Sequence, residues 1–190
     1  MPPPPPIRGS ESELAHMVIE CCSQEKTFLK YFGLLGARFC VIGAAYRDSF
    51  CDAFRAQYEG CHRLETNKLR NVAKLFAHLL HTDSLPWRVL GGVRLNEDDT
   101  TPSSRIFIKV LVQELVEYMG LHKLRSRMLA PESAEAMAGL LPRDSARHAR
   151  FSINFFTSIG LGALTDGLRA WLKAQSEKNA KDVASALQQA

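Results

Sequence analysis

The feature that most constrains the fold is the spacing of apolar residues. From Ser10 onward it follows the period of an α-helix, and no stretch alternates as a half-buried strand would. Leu14, Met17, Val18 and Cys21 fall at i, i+3, i+4 and i+7, with Ser10 and Glu13 spaced as a capping box at the start. Phe28, Phe32, Leu35, Phe39 and Ile42 mark one face of a second predicted helix, and Phe50, Phe54, Tyr58 and Cys61 a third. In the fourth, Thr66 is the predicted N-cap and Leu69, Val72, Phe76 and Leu79 form the stripe. Pro86 suits the first turn of a short helix that ends at Gly91 and Gly92.

The second half continues the pattern. A loop over residues 96–104 supplies acids and hydroxyls ahead of a helix predicted over 105–119, where acids favour the positive end of the helix dipole. That helix is apolar on most sides (Ile106, Phe107, Ile108, Val110, Leu111, Val112, Leu115, Val116), so it is predicted to be central, with Gly120 capping it. Shorter helices follow over 121–129 and 131–140, and Pro142 breaks the pattern. Another helix runs near 146–159 and ends at Gly160. The last begins near Thr165 and packs Leu168, Trp171 and Leu172. Roughly ten short helices with brief connections imply an all-α, HEAT-like or ARM-like stack of antiparallel helix pairs. The pairs are unlike one another in sequence, so the stack is irregular.

A chain of 190 residues makes one such domain. At this length folding buries about 70% of the extended-chain surface, so no disulfide or metal staple is required. The predicted organisation is a proline-rich flexible N-terminus over residues 1–9, a helical domain over 10–175, and a fraying or disordered Ala- and Lys-rich tail over 176–190. Residues 2–6 are five consecutive prolines, which favour polyproline II. No apolar run reaches the ~18 residues of a membrane span, and the N-terminus has no apolar signal region. Five cysteines, an odd number without regular spacing, point to a reducing compartment and to free, mostly buried thiols.

Chemistry-bearing motifs are sparse. Gly160 and Gly162 match half of a dinucleotide fingerprint, but the third glycine would fall at Thr165 and no strand precedes them. Helix capping and a tight helix–helix turn explain them better. Phosphate-loop and nucleophile-elbow patterns are missing. Cys61, His62, His78 and His81 are zinc-compatible side chains without the closely paired cysteines of a zinc module, and read as ordinary helix-surface and helix-end residues. Glu97, Asp98 and Asp99 lack calcium-loop spacing. The sequence therefore predicts no enzyme, no metal and no cofactor.

Charge is the remaining signal. The net charge is +4, and residues 62–94 carry Arg63, Lys68, Arg70, Lys74, Arg88 and Arg94 against Glu65 and Asp83. Residues 95–119 are acidic and 120–150 basic again. Arg143, Arg147, Arg150 and Asn154 step at i, i+4, i+7 and i+11, a spacing that one helix would align as a ridge suited to phosphates or to partner carboxylates. A second, sparser ridge comprises Asn67, Lys68, Asn71, Lys74 and His78. The bland reading of both is a solvated face, with Asp144 as counter-ion in the first.

Two segments go further. Residues 62–87 (HRLETNKLRNVAKLFAHLLHTDSLPW) and 141–172 (LPRDSARHARFSINFFTSIGLGALTDGLRAWL) resemble the C-terminal MA-3 domain of the nucampholin family of pre-mRNA splicing factors. The resemblance runs from about Leu14 to Leu172, and its most specific strings are residues 63–73, 83–87, 103–107, 113–121 and 153–162. It implies a HEAT-like helical stack and a nuclear spliceosome subunit without enzymatic activity. It further implies that this domain sits on the U5 large central protein and helps enclose the 5′ exon, within the U5 small nuclear ribonucleoprotein. It places the protein near the step where a DEAH-box ATPase remodels the activated spliceosome. Relatives deliver the DEAD-box helicase of the exon junction complex through a middle domain that this sequence does not contain. A serine/arginine-rich tail is missing as well. The family pattern has a helix before Leu14 where this chain has prolines, which is expected to leave an apolar face of the stack uncovered. A weaker likeness, in helical pattern alone, is to MA-3 domains of translation regulators, which implies direct binding of a DEAD-box initiation-type helicase. For the splicing reading, the candidate RNA- or partner-binding residues are Arg143, Arg147, Arg150, Asn154, Lys68, Asn71 and Lys74.

Overall fold

Helices α1 (Glu11–Gln24), α2 (Lys30–Ile42), α3 (Ala44–Glu59), α4 (Thr66–His81), α5 (Pro102–Met119), α6 (Leu121–Met128), α7 (Ala134–Met137), α8 (Ala146–Ser158) and α9 (Asp166–Gln188) follow one another in a computed structural model. It describes the backbone of residues 10–188 and the side chains of residues 10–178. The proline run at 2–6 and the last two residues lie outside the described part. Short 3-10 turns at Cys61–Arg63, Trp87–Gly92, Pro131–Ser133 and Gly162–Thr165 join the helices, and there is no strand among the described residues. The chain is therefore the all-α stack that the helical period predicts.

The stack is built around α4 and α5. Leu69, Val72, Phe76 and Leu79 of α4 are buried as the stripe predicts, and Ala73, Leu75, Ala77, His78 and Leu80 are buried too. α4 is enclosed because α1, α2 and α5 all pack on it, α5 most extensively. α5 buries Phe107, Ile108, Leu111, Val112 and Leu115 as predicted, whereas Ile106, Val110 and Val116 are only partly buried. The rings of Phe54, Phe76 and Phe107 meet edge to face at the junction of α3, α4 and α5, with centroids 5.0 Å (Phe54–Phe76) and 6.0 Å (Phe54–Phe107) apart. Each such ring, removed from water, contributes about 1.5–3 kcal/mol before the entropy of ordering it is counted. A single hydrophobic core runs from Ala15 to Leu168.

Several local expectations are corrected. The buried face of α2 is Phe32, Gly33, Gly36 and Cys40, whereas Leu35 and Phe39 are only partly buried and Ile42 is exposed. Beside Phe32 and Cys40, two glycines set the closeness of this contact. A Cβ on residue 33 would lie 2.6 Å from the His78 ring, and one on residue 36 would lie 3.2 Å from Leu79 Cδ2. Close approach turns Tyr31, Leu34, Val41 and Ile42 outward. The N-cap of α4 is Glu65 rather than Thr66. Ser10 stands at the N-cap of α1, but its side chain makes no capping bond. The capping box instead forms at α5, where Ser104 N–H donates to Thr101 Oγ1 (3.1 Å) and Thr101 N–H donates to Ser104 Oγ (2.9 Å). That moves the start of α5 to Pro102, three residues earlier than its apolar run suggests.

The string at residues 83–87 closes α4. Asp83 adopts φ 56° and turns the chain. Leu85 N–H donates to Leu79 O (3.1 Å), and the Trp87 indole N–H donates to Leu80 O (3.2 Å), satisfying carbonyls that the helix end leaves open. Arg127 of α6 pairs with Asp83 and lies over the Trp87 ring at 4.9 Å. Gly120, with φ 78°, ends α5 as predicted, and Gly160, with φ 80°, ends α8. α9 continues as a helix to Gln188.

Candidate partner-binding surface

The four-residue basic ridge does not form as one helical row. α8 begins at Ala146, capped by Ser145, whose hydroxyl accepts from His148 N–H (3.1 Å). Arg143 therefore lies before the helix, beside Leu129 and Gly167, while Arg147, Arg150 and Asn154 are on it. Arg147 is committed: its guanidinium pairs with Glu97 (2.7 Å) and Asp98 (3.3 Å) of the loop before α5. The acids expected to serve the α5 dipole thus reach across to α8. Asp144 does not neutralise an arginine but accepts from His148 Nδ1 at 2.8 Å. This contact raises the His148 pKa above the usual imidazole value and lowers that of Asp144.

The second ridge dissolves further. Asn71 is buried, with 4% exposure, and cannot present its side chain to RNA. Its amide donates to Glu25 O (2.7 Å) and Cys22 O (3.3 Å), holding the C-terminal end of α1 against α4. Lys74 is half-buried and pairs with Glu114 of α5 at 2.5 Å. Lys68 remains half-exposed, without an ion pair among the described residues. His78 is buried, not on the surface, and neither ring nitrogen has a partner. Burial and the nearby His81 and Lys30 hold its pKa below the usual value, so the ring is neutral. No group of three or more potential metal ligands exists among the described residues. Cys22, Cys40, Cys51 and Cys61 are buried and Cys21 is exposed. Burial pushes the Cys22 and Cys40 thiols up to about 12, which keeps them protonated.

One assembly went unforeseen. α8 and α9 together line a groove of about 640 Å³, with Ala146, Arg150, Ile153 and Asn154 from α8 and Arg169, Leu172 and Lys173 from α9. Arg169 Nη2 donates to Thr157 Oγ1 (2.7 Å) and its Nε to Thr165 Oγ1 (3.3 Å). Both acceptors are neutral hydroxyls, so the guanidinium is held in place without a carboxylate partner among the described residues. Gly162 leaves room for this clasp, since a Cβ there would lie 3.3 Å from Thr157 Oγ1. The i, i+4 spacing of Arg169 and Lys173 was visible in the sequence, but not that they face Arg150 across a gap.

Comparison with known proteins adds a class to this geometry. Residues 7–86 match the MA3 domain family. Over 161 residues the chain is 58% identical to a pre-mRNA-splicing factor CWC22 homolog of Mus musculus, covering 85% of this chain and 18% of that protein. The Drosophila melanogaster homolog is 56% identical over 165 residues, covering 87% and 12%. The cwc22 splicing factor of Emericella nidulans is 53% identical over 165 residues, covering 87% and 19%. The chain thus spans less than a fifth of the length of these relatives. Fold and family match together describe an all-α helical stack whose residues 7–86 are similar to an MA3 domain. More particularly, the chain is similar over most of its length to one segment of the CWC22 pre-mRNA-splicing factors, the likeness that the strings at 63–73, 83–87 and 153–162 point to.

Proposed function

We propose that the chain acts in pre-mRNA splicing as a non-enzymatic scaffold of the nuclear spliceosome, docking on the U5 large central protein and helping to enclose the 5′ exon. The observation that carries this reading is identity of 53–58% over 85–87% of the chain with proteins named as splicing factors. Its chemistry is compatible with the surface: Arg143, Arg150 and Lys68 carry charge that no described carboxylate neutralises, and such cations meet phosphates or carboxylates through charge alone. Asn71 leaves the contact set because it is buried, and Arg147 and Lys74 contribute only if their present carboxylate partners release them. Helicase delivery to spliced exons belongs, on this reading, to a middle domain outside this chain. Affinity purification of the tagged chain from nuclear extract, probed for U5 small nuclear RNA and the U5 large central protein, tests the reading. Recovery of both is expected. Recovery of a free DEAD-box initiation-type helicase instead would favour the translation-regulator mode of MA3 domains.

A further inference from the structure

We infer that the α8–α9 groove is a docking site for an acidic, amphipathic helix of a partner protein, and not an RNA track; the inference rests on the scaffold reading and names the chemistry of one contact within it. Three features of the groove lead there. Its lining carries Arg150, Arg169 and Lys173 and no carboxylate, whereas Arg125, Arg127 and Arg147 nearby are each paired with an acid. The groove thus gathers three cations that no described carboxylate pairs with. Arg169 is already oriented by Thr157 and Thr165, so little rotamer freedom is lost when it meets a carboxylate.

The apolar lining supplies the second feature. Ala146 and Leu172, half-buried, and the outer edge of buried Ile153 supply the apolar part of the lining beside the cations. A lining of this kind takes aliphatic anchors at i, i+3 and i+4 of a helix, while acids on its flanks meet the cations. The third feature is what the lining lacks. Surfaces that track single-stranded nucleic acid combine cations with aromatic rings on which bases stack. No aromatic residue lines this groove, so the apolar lining has no use for a base. A helix laid here would continue the stack by one layer, as each helix of the domain already packs into its neighbours.

The test uses the full chain and two fluorescent probes, a helical peptide with Glu and Leu at amphipathic spacing and a polyuridine oligonucleotide, read by anisotropy at several salt concentrations. The peptide is expected to bind, to weaken as salt rises, and to lose at least about tenfold in affinity against the Arg150→Glu, Lys173→Glu double variant. Both positions are exposed, so helicity by circular dichroism stays unchanged. Replacing the peptide's leucines with serine is expected to weaken it further, which a purely ionic contact would not show. Absence of peptide binding, or polyuridine binding that the same double variant abolishes, overturns the inference. Probing the wild-type chain in nuclear extract separates the two levels. Wild-type recovery of U5 without peptide binding sinks the groove assignment alone, whereas failure of the wild type to recover U5 sinks the scaffold reading.

Discussion

Replacing Gly33 with alanine tests the close α2–α4 contact most sharply. The new Cβ would lie 2.6 Å from His78 Cγ and Cδ2 and 3.0 Å from His78 Cβ. These are atoms at the root of a side chain that is 1% exposed, so they cannot swing away. His81 and Tyr118 also crowd the ring, with centroids 5.5 Å and 5.6 Å from His78. Overpacking of this kind costs about 1–3 kcal/mol, and the absence of free volume puts this site near the top of that range. Alanine recovers about 1 kcal/mol over glycine in a helix interior. The net expectation is a loss of about 2 kcal/mol, a drop in Tm of about 4–8 °C for a domain of this size. The His78→Ala background removes the obstacle and leaves the propensity gain, so there Gly33→Ala should stabilise by about 1 kcal/mol. The two single variants and the double variant, unfolded in urea and followed by circular dichroism, complete the cycle. An equal loss from Gly33→Ala in both backgrounds would refute the claim that glycine sets the helix spacing.

Four further outcomes follow from the same contacts. Asn71→Ala removes the donor to Glu25 O and Cys22 O and should cost about 2 kcal/mol of unfolding free energy with RNA crosslinking unchanged; lost crosslinking at full stability would restore Asn71 to the binding surface. Gly139→Ala would drive a Cβ into Val93 O and break the Leu95 N–H to Gly139 O bond of 2.9 Å, so soluble yield or Tm should fall more than for any other substitution named here. Thr101→Ala removes the α5 cap and should cost about 1 kcal/mol in the same urea assay. Finally, the folded His78 pKa lies below its ordinary 6.5. The unfolded chain therefore binds a proton that the fold refuses, and stability falls as pH drops below about 6.5. His81 acts in the same direction, and exposed His148, with its raised value, acts oppositely. Urea midpoints from pH 7.5 to 5 should fall less steeply in His78→Ala than in the wild type; parallel curves would contradict the assignment.

What the sequence reveals is set by which physical signal each element leaves in it. Bulky apolar residues at helical spacing locate α4 and α5 directly, because burial against two neighbours demands that pattern. The α2 contact is hidden, since Gly33 and Gly36 carry no hydrophobic signal and matter through what they leave out. The basic ridge on α8 is legible as charge spacing, but spacing within one segment cannot show that Arg147 finds Glu97 and Asp98 some fifty positions away. Nor can it show that Asn71, polar and flanked by cations, turns inward to hold α1. The groove is a property of two helices together. Arg150 belongs to one and Arg169 to the other, and the turn at Gly162–Thr165 that brings them face to face reads in sequence only as a glycine and a threonine.

The central proposal is that this helical stack docks on the spliceosome by itself. Purifying the tagged full chain from nuclear extract at moderate salt, and probing the eluate for U5 small nuclear RNA and the U5 large central protein, tests it most directly. The account predicts that both are recovered with the wild-type chain. A folded chain that recovers neither would contradict it.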